Sequence, residues 1–151
     1  DRYFEGTGLE KLEYRGIDFI EERFFGVGGY RQPAAVVNYP GPEVNFTRVV
    51  EYKHFLHQEH TPHTITVKEV SKPMGPRDDP YYPVPNPRNL RLYEAYRALA
   101  REEEARRNVT FVGRLANYKY FNMDETIVNA LIIFYETSGR PRMADMPEFF
   151  P

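Results

Sequence analysis

Apolar and polar residues alternate from the start of the chain. Between Leu9 and Phe25, the residues Leu12, Tyr14, Ile17, Phe19 and Ile20 sit at near-alternate positions among charges, the pattern of a half-buried strand or strand pair. Gly26-Val27-Gly28-Gly29 interrupts it and reads as a turn, because the spacing is not GxGxxG and no helical pattern follows. Three further β-like stretches run from Pro33 to Tyr39, Arg48 to Leu56 and His63 to Val70, centred on Val36-Val37, Val49-Val50 and Ile65-Thr66-Val67. Short turn-rich connections between them predict an antiparallel sheet. The proline-dense segment Pro73 to Pro87 is a long loop.

The period then changes. Pro87 follows Asn86 as a helix start, and Leu92, Tyr96, Leu99 and Ala100 share one face of a helix running to about Arg106. Asn108 to Val112 is a short β-branched run that predicts a strand ending at Gly113. Asn122 with Glu125 three residues on has the form of a capping box, and Met123, Ile127, Ala130, Leu131 and Phe134 line one face of a second helix to about Tyr135. The fold class is therefore α+β, with a mostly antiparallel sheet of four to six strands and two main helices. Residues 1–137 form the domain, and residues 138–151, with three prolines and no periodicity, form a tail.

Composition narrows the function classes. The 151 residues carry 20 basic and 22 acidic side chains, so no global field favours nucleic acid or an anionic membrane, and an anion site must be built locally. No apolar run reaches the ~20 residues that span a bilayer. The lack of cysteine excludes disulfide and thiolate chemistry and points to the cytoplasm. Twelve Tyr and eleven Phe, with no Trp, are the unusual feature; tyrosine suits half-buried strands and polar clefts alike.

Four groups of residues carry candidate chemistry. In the strand-loop-helix unit from Phe111 to Phe134, a helix start can receive an anion beside Arg114, Tyr118 and Tyr120. An ordinary capped helix explains the same residues, the more so because Asp124 and Glu125 already answer the helix dipole. Asn38 and Arg48 flank the turn Tyr39-Pro40-Gly41-Pro42 and can meet across adjacent strands; Arg48 needs an anion there, with Glu51 or Glu43 as its ordinary partner. Asp78-Asp79-Pro80-Tyr81-Tyr82-Pro83 is a stiff turn that forms a cleft wall or a plain surface turn. His54, His57, His60 and His63 recur every third residue, but that spacing alternates faces in β-like chain interrupted by Thr61-Pro62, so no metal site is expected.

In order along the chain, Leu12-Glu13-Tyr14-Arg15, Val37-Asn38-Tyr39 leading to Phe46-Thr47-Arg48-Val49-Val50-Glu51-Tyr52-Lys53-His54-Phe55, Pro80-Tyr81-Tyr82-Pro83-Val84, and Gly113 through Met123 resemble the UDP-galactopyranose mutase family. The resemblance implies an isomerase of cell-wall polysaccharide biosynthesis that interconverts pyranose and furanose forms of a UDP-sugar through an adduct at N5 of reduced FAD, with no net redox change. By the same resemblance Arg48, Tyr82 and Tyr120 are the catalytic and substrate-binding groups, and Asn38 binds substrate with them. Arg114, Asn122, Met123 and Asp124 correspond to the family's flavin contacts. Asn122 stands where the best-known members carry Asp, and Asp79 shortens an expected Glu.

The family's amino-terminal GxGxxG unit, which holds the flavin's adenosine diphosphate, has no counterpart in these residues. The expectation is a carboxy-terminal part that is inactive alone, binds no FAD by itself, and meets either a missing amino-terminal half or a second copy. Two other readings stay open: a non-enzymatic module for a nucleotide sugar or another anion, and a degenerate remnant that oligomerises.

Overall fold

A computed structural model describes residues 1–55, 58 and 60–144. It contains the strands β1 (Tyr14–Phe24), β2 (Val36–Asn38), β3 (Arg48–Glu51), β4 (Thr64–Pro73) and β5 (Tyr82–Pro83), and the helices α1 (Pro87–Arg106) and α2 (Met123–Ser138). The sheet order is β2-β3-β4-β1-β5, and the β1–β4, β2–β3 and β3–β4 pairs are antiparallel. The α+β class with a five-stranded sheet and two main helices is as the periodicity predicts. The chain divides into two compact units, residues 15–81 and residues 1–14 with those from 82 onward.

In the first unit, the alternating segment is one long strand rather than a pair: β1 is matched to β4 from Arg15↔Pro73 to Phe24↔Thr64. Val49, Val50 and Val67 are buried around β3 and β4. The β-like stretch expected from Arg48 to Leu56 ends as strand at Glu51, and Tyr52–His54 turns as a 3-10 helix. Two buried charges explain the break. Glu51, fully buried, accepts hydrogen bonds from Thr64 Oγ1 at 2.6 Å and from the Arg31 and Gln32 N–H groups at 3.0 Å. Lys53, also buried, donates to the Gly29 and Thr61 carbonyls at 2.6 and 2.5 Å. Backbone spent on these side chains cannot continue a ladder.

In the second unit, α1 begins as its sequence requires. Asn86 Oδ1 accepts from the Asn89 N–H at 2.8 Å, and Pro87 occupies the first turn. Tyr96 and Ala100 of the expected face are buried, and Tyr96 donates its hydroxyl proton to the Glu10 carbonyl at 2.9 Å. At the start of α2, Asn122 and Glu125 form the capping box, with the Asn122 N–H donating to Glu125 Oε2 at 2.7 Å.

One expectation fails here. Residues 108–112 form no strand, since nothing among the described residues pairs with them; the Phe111 N–H donates to Glu104 Oε1 instead, and the Gly113 N–H to Asn129 Oδ1. The apolar stripe of α2 is not buried: Met123, Ile127, Leu131 and Phe134 are all exposed, and the buried residue of this helix is Asn129. Asn129 receives Gly113 N–H at 2.9 Å and Asn117 Nδ2 at 3.3 Å, so a polar anchor rather than the apolar stripe turns α2 toward its own unit.

Candidate functional site

The register of the sheet assembles the first group. Asn38 on β2 lies opposite Arg48 on β3, and Arg48 lies opposite Glu69 on β4. Directly paired residues share a face, so Asn38, Arg48 and Glu69 form one polar row across three strands. Asn38 is exposed and lines a cleft of about 410 Å³ with Tyr39, Phe46, Thr47 and Ser71. Tyr39 and Phe46 meet edge to face at 4.9 Å on its wall.

Arg48 is half-exposed as a side chain, yet its Nε is buried 3.0 Å from Glu69 Oε2. That pair is electrostatic rather than a directed hydrogen bond, because the Nε–H is not aimed at the carboxylate. Neither Glu51 nor Glu43 is the partner. Glu51 is spent on the Arg31–Gln32 turn, and the register hands Arg48 to Glu69. Among the described residues neither Nη group of Arg48 makes a hydrogen bond, and its ion pair with Glu69 runs through Nε. A guanidinium anchored at one edge with its Nη pair open is suited to an oxyanion.

The second group lies in the other unit. Tyr82 on β5 and Tyr120 after the Gly113 loop face each other at 5.9 Å, tilted by 30°, and the Arg114 guanidinium sits 5.3 Å from the centre of each ring. That arrangement is a cation held over two aromatic faces. Tyr82 and Tyr120 also edge a cleft of about 560 Å³ that includes Tyr93, Arg97, Arg101 and Lys119. Tyr118 fixes the loop: it is 2% exposed, has a left-handed φ of 46°, and donates its hydroxyl proton to the Glu13 carbonyl at 2.6 Å. At the start of α2, Asn122, Met123 and Asp124 are exposed, Met123 to 86%. The N–H groups of Met123 and Asp124 lie in the first helical turn, beyond the reach of intrahelical acceptors.

Asp78 belongs to the turn itself, accepting the Gly75 N–H at 2.7 Å and pairing with Lys72 at 3.1 Å; these hydrogen bonds hold its carboxyl below its ordinary pKa. Of the histidines, His54 stacks on Tyr30 at 3.7 Å and lies 3.5 Å from Glu51 Oε2, and His63 Nδ1 accepts the Gly26 N–H at 3.1 Å. His57 lies outside the described residues. Among the described residues no group of three or more His, Cys, Asp or Glu could hold a metal ion, and no helix is long and apolar enough to cross a membrane.

Sequence reasoning missed Glu69 as the partner of Arg48, and the buried networks of Glu51 and Lys53. Burial works to raise the Glu51 pKa, but hydrogen bonds from Thr64, Arg31 and Gln32 and the nearby His54 outweigh it and hold the carboxyl below its ordinary value. The available signal was charge at strand positions flanked by Val49-Val50 and by Val67 and Val70.

A five-stranded, largely antiparallel sheet, two capped helices, a polar row centred on Arg48 and an arginine–tyrosine cluster define an α+β module. The chain belongs to the UDP-galactopyranose mutase family, whose model matches residues 1–120. It is 42% identical over 140 residues to a probable UDP-galactopyranose mutase of Klebsiella pneumoniae, covering 92% of this chain and 35% of that protein. A dTDP-fucopyranose mutase of Escherichia coli is 37% identical over 120 residues, covering 80% of this chain and 30% of that protein. The chain thus spans about a third of the length of these relatives. A crystal structure of reduced UDP-galactopyranose mutase shares the fold, with a TM-score of 0.63 at 17% identity over 87% of this chain and 35% of that one.

Proposed function

We propose that this chain supplies the substrate-diphosphate ligands and the carboxy-terminal flavin contacts of a mutase that interconverts pyranose and furanose forms of a nucleotide-linked galactose-type sugar. The observation that carries the reading is Arg48, fixed at its Nε edge with both Nη groups open and Asn38 beside it in the same row. Arg48 neutralises the diphosphate and steadies it as it departs from the anomeric carbon, and Asn38 orients the same ligand through its amide. Tyr82 and Tyr120 are hydroxyl donors to diphosphate or sugar, since a phenol binds without competing as a nucleophile at neutral pH.

The residues at the start of α2 fit a flavin. The Met123 and Asp124 N–H groups are open donors, the exposed Met123 side chain offers an apolar surface, and Arg114 supplies a cation. Reduced flavin, when bound, supplies the nucleophile for the anomeric carbon; this chain's part is to hold, orient and balance charge. We place the reaction in the cytoplasm, in the supply of sugars for cell-wall polysaccharide, with turnover requiring the remaining two thirds of a family-length protein.

The test is spectroscopic and calorimetric. UDP should bind the purified chain and lose its affinity on Arg48→Ala. Flavin absorbance and pyranose–furanose turnover should appear only when the remaining part of a relative is added with FAD and dithionite. Equal UDP affinity for the wild-type chain and Arg48→Ala would sink the reading.

A further inference from the structure

We propose that Glu69 is a positioning residue, whose charge beside the buried Nε edge holds Arg48 so that both Nη groups are presented to an anion. The proposal rests on the reading of Arg48 as a diphosphate ligand. It starts from the register, which places Glu69 directly opposite Arg48 and leaves the Glu69 carboxylate 3.0 Å from the buried Nε, with the Glu69 side chain only 13% exposed. Glu69 is itself pinned. Thr47, next to Arg48, donates both its N–H and its hydroxyl to the Glu69 carbonyl, at 2.9 and 3.2 Å. On the other side Glu69 pairs with Phe19, whose ring meets Tyr81 at 5.7 Å. The nearest lysines do not compete, because Lys68 is bound to Glu22 at 2.7 Å and Lys72 to Asp18 and Asp78 at 2.6 and 3.1 Å. An arginine has four rotatable bonds, and holding its fork in place before the ligand arrives removes part of the entropy cost of binding.

Positioning and simple charge neutralisation have opposite signs. If Glu69 were only a counter-charge, removing it would relieve repulsion between carboxylate and diphosphate, and UDP would bind more tightly. If it positions Arg48, removing it weakens UDP binding despite the relieved repulsion. Titration calorimetry of UDP into the full chain separates these. Glu69→Gln should weaken UDP binding by roughly fivefold, while the double variant with Arg48→Ala should bind no worse than Arg48→Ala alone, because Glu69 acts only through Arg48. Glu69→Asp, which retains the charge but shortens its reach to Nε, should weaken UDP roughly twofold. In the unliganded protein, the Arg48 Nε–H resonance should shift in Glu69→Gln and stay in place in Tyr120→Phe.

UDP binding that is unchanged or tighter in Glu69→Gln, with Arg48→Ala still impaired, overturns the proposal and leaves the diphosphate reading standing. Additive losses in the double variant also overturn it, since they mark Glu69 as acting independently of Arg48. A wild-type chain that does not bind UDP, or an Arg48→Ala chain that binds it normally, defeats the diphosphate reading and this proposal with it.

Discussion

The Tyr118 hydroxyl donates to the Glu13 carbonyl at 2.6 Å across 105 residues of sequence. It also lies 3.2 Å from both the carbonyl and the N–H of Val84, so one phenol ties the Gly113–Phe121 loop to two other segments of its unit. Tyr118→Phe keeps the ring but removes these hydrogen bonds, leaving the Val84 N–H only the Glu13 carbonyl and the Val84 carbonyl only the Asn89 amide, which costs about 1 kcal/mol. Urea denaturation should show a lower midpoint with an unchanged slope. An unaltered midpoint would mean that water replaces the hydroxyl without loss.

Glu51 should make folding sensitive to acid. Its folded-state pKa lies below the ordinary carboxylate value, so its contribution is present above the unfolded-state pKa and is lost as pH falls through the lowered folded one. Glu51→Gln should therefore cost about 3 kcal/mol at pH 7, the scale for breaking a buried, hydrogen-bonded charge. The gap between variant and wild type should close below about pH 4, where the wild type loses the same term. Chemical denaturation at a series of pH values would reveal a parallel offset if Glu51 were not the source.

Tyr14 gives the alkaline counterpart. Burial, with Tyr118, Tyr93 and Tyr96 nearby, raises its pKa to about 12. The folded state keeps this phenol protonated while the unfolded chain loses the proton near its ordinary value of 10, so stability holds below pH 10 and falls as pH rises toward 12. Tyr14→Phe should flatten part of that decline. The remaining slope should come from Tyr93, Tyr96 and Tyr118, which burial also shifts upward.

Asn129 holds α2 in place through the Gly113 N–H and the Asn117 amide. Asn129→Leu should destabilise the second unit by about 2 kcal/mol despite adding apolar area, because it strands a buried N–H. Hydrogen exchange should speed up at Gly113 and through α2 while β3 and β4 keep their protection. Uniform loosening across both units would contradict this assignment.

The α1 cap at Asn86, the α2 capping box at Asn122 and the existence of four strands before the proline loop were legible in the sequence, because each depends on residues within a few positions of one another. So were the motifs that carry the family resemblance, including Arg48, Tyr82 and Tyr120. What lay beyond the sequence depends on partners distant in the chain. Only the cross-strand register could choose Glu69 over Glu51 and Glu43 for Arg48, because both alternatives sit closer in sequence but one is buried in a different network. The β-branched run at 108–112 has strand propensity, yet a strand exists only through hydrogen bonds to a neighbour, and none of the described residues provides one. The apolar stripe of α2 was correctly read as a stripe; which side of the helix faces its unit was settled by Asn129, whose hydrogen bonds no periodicity encodes.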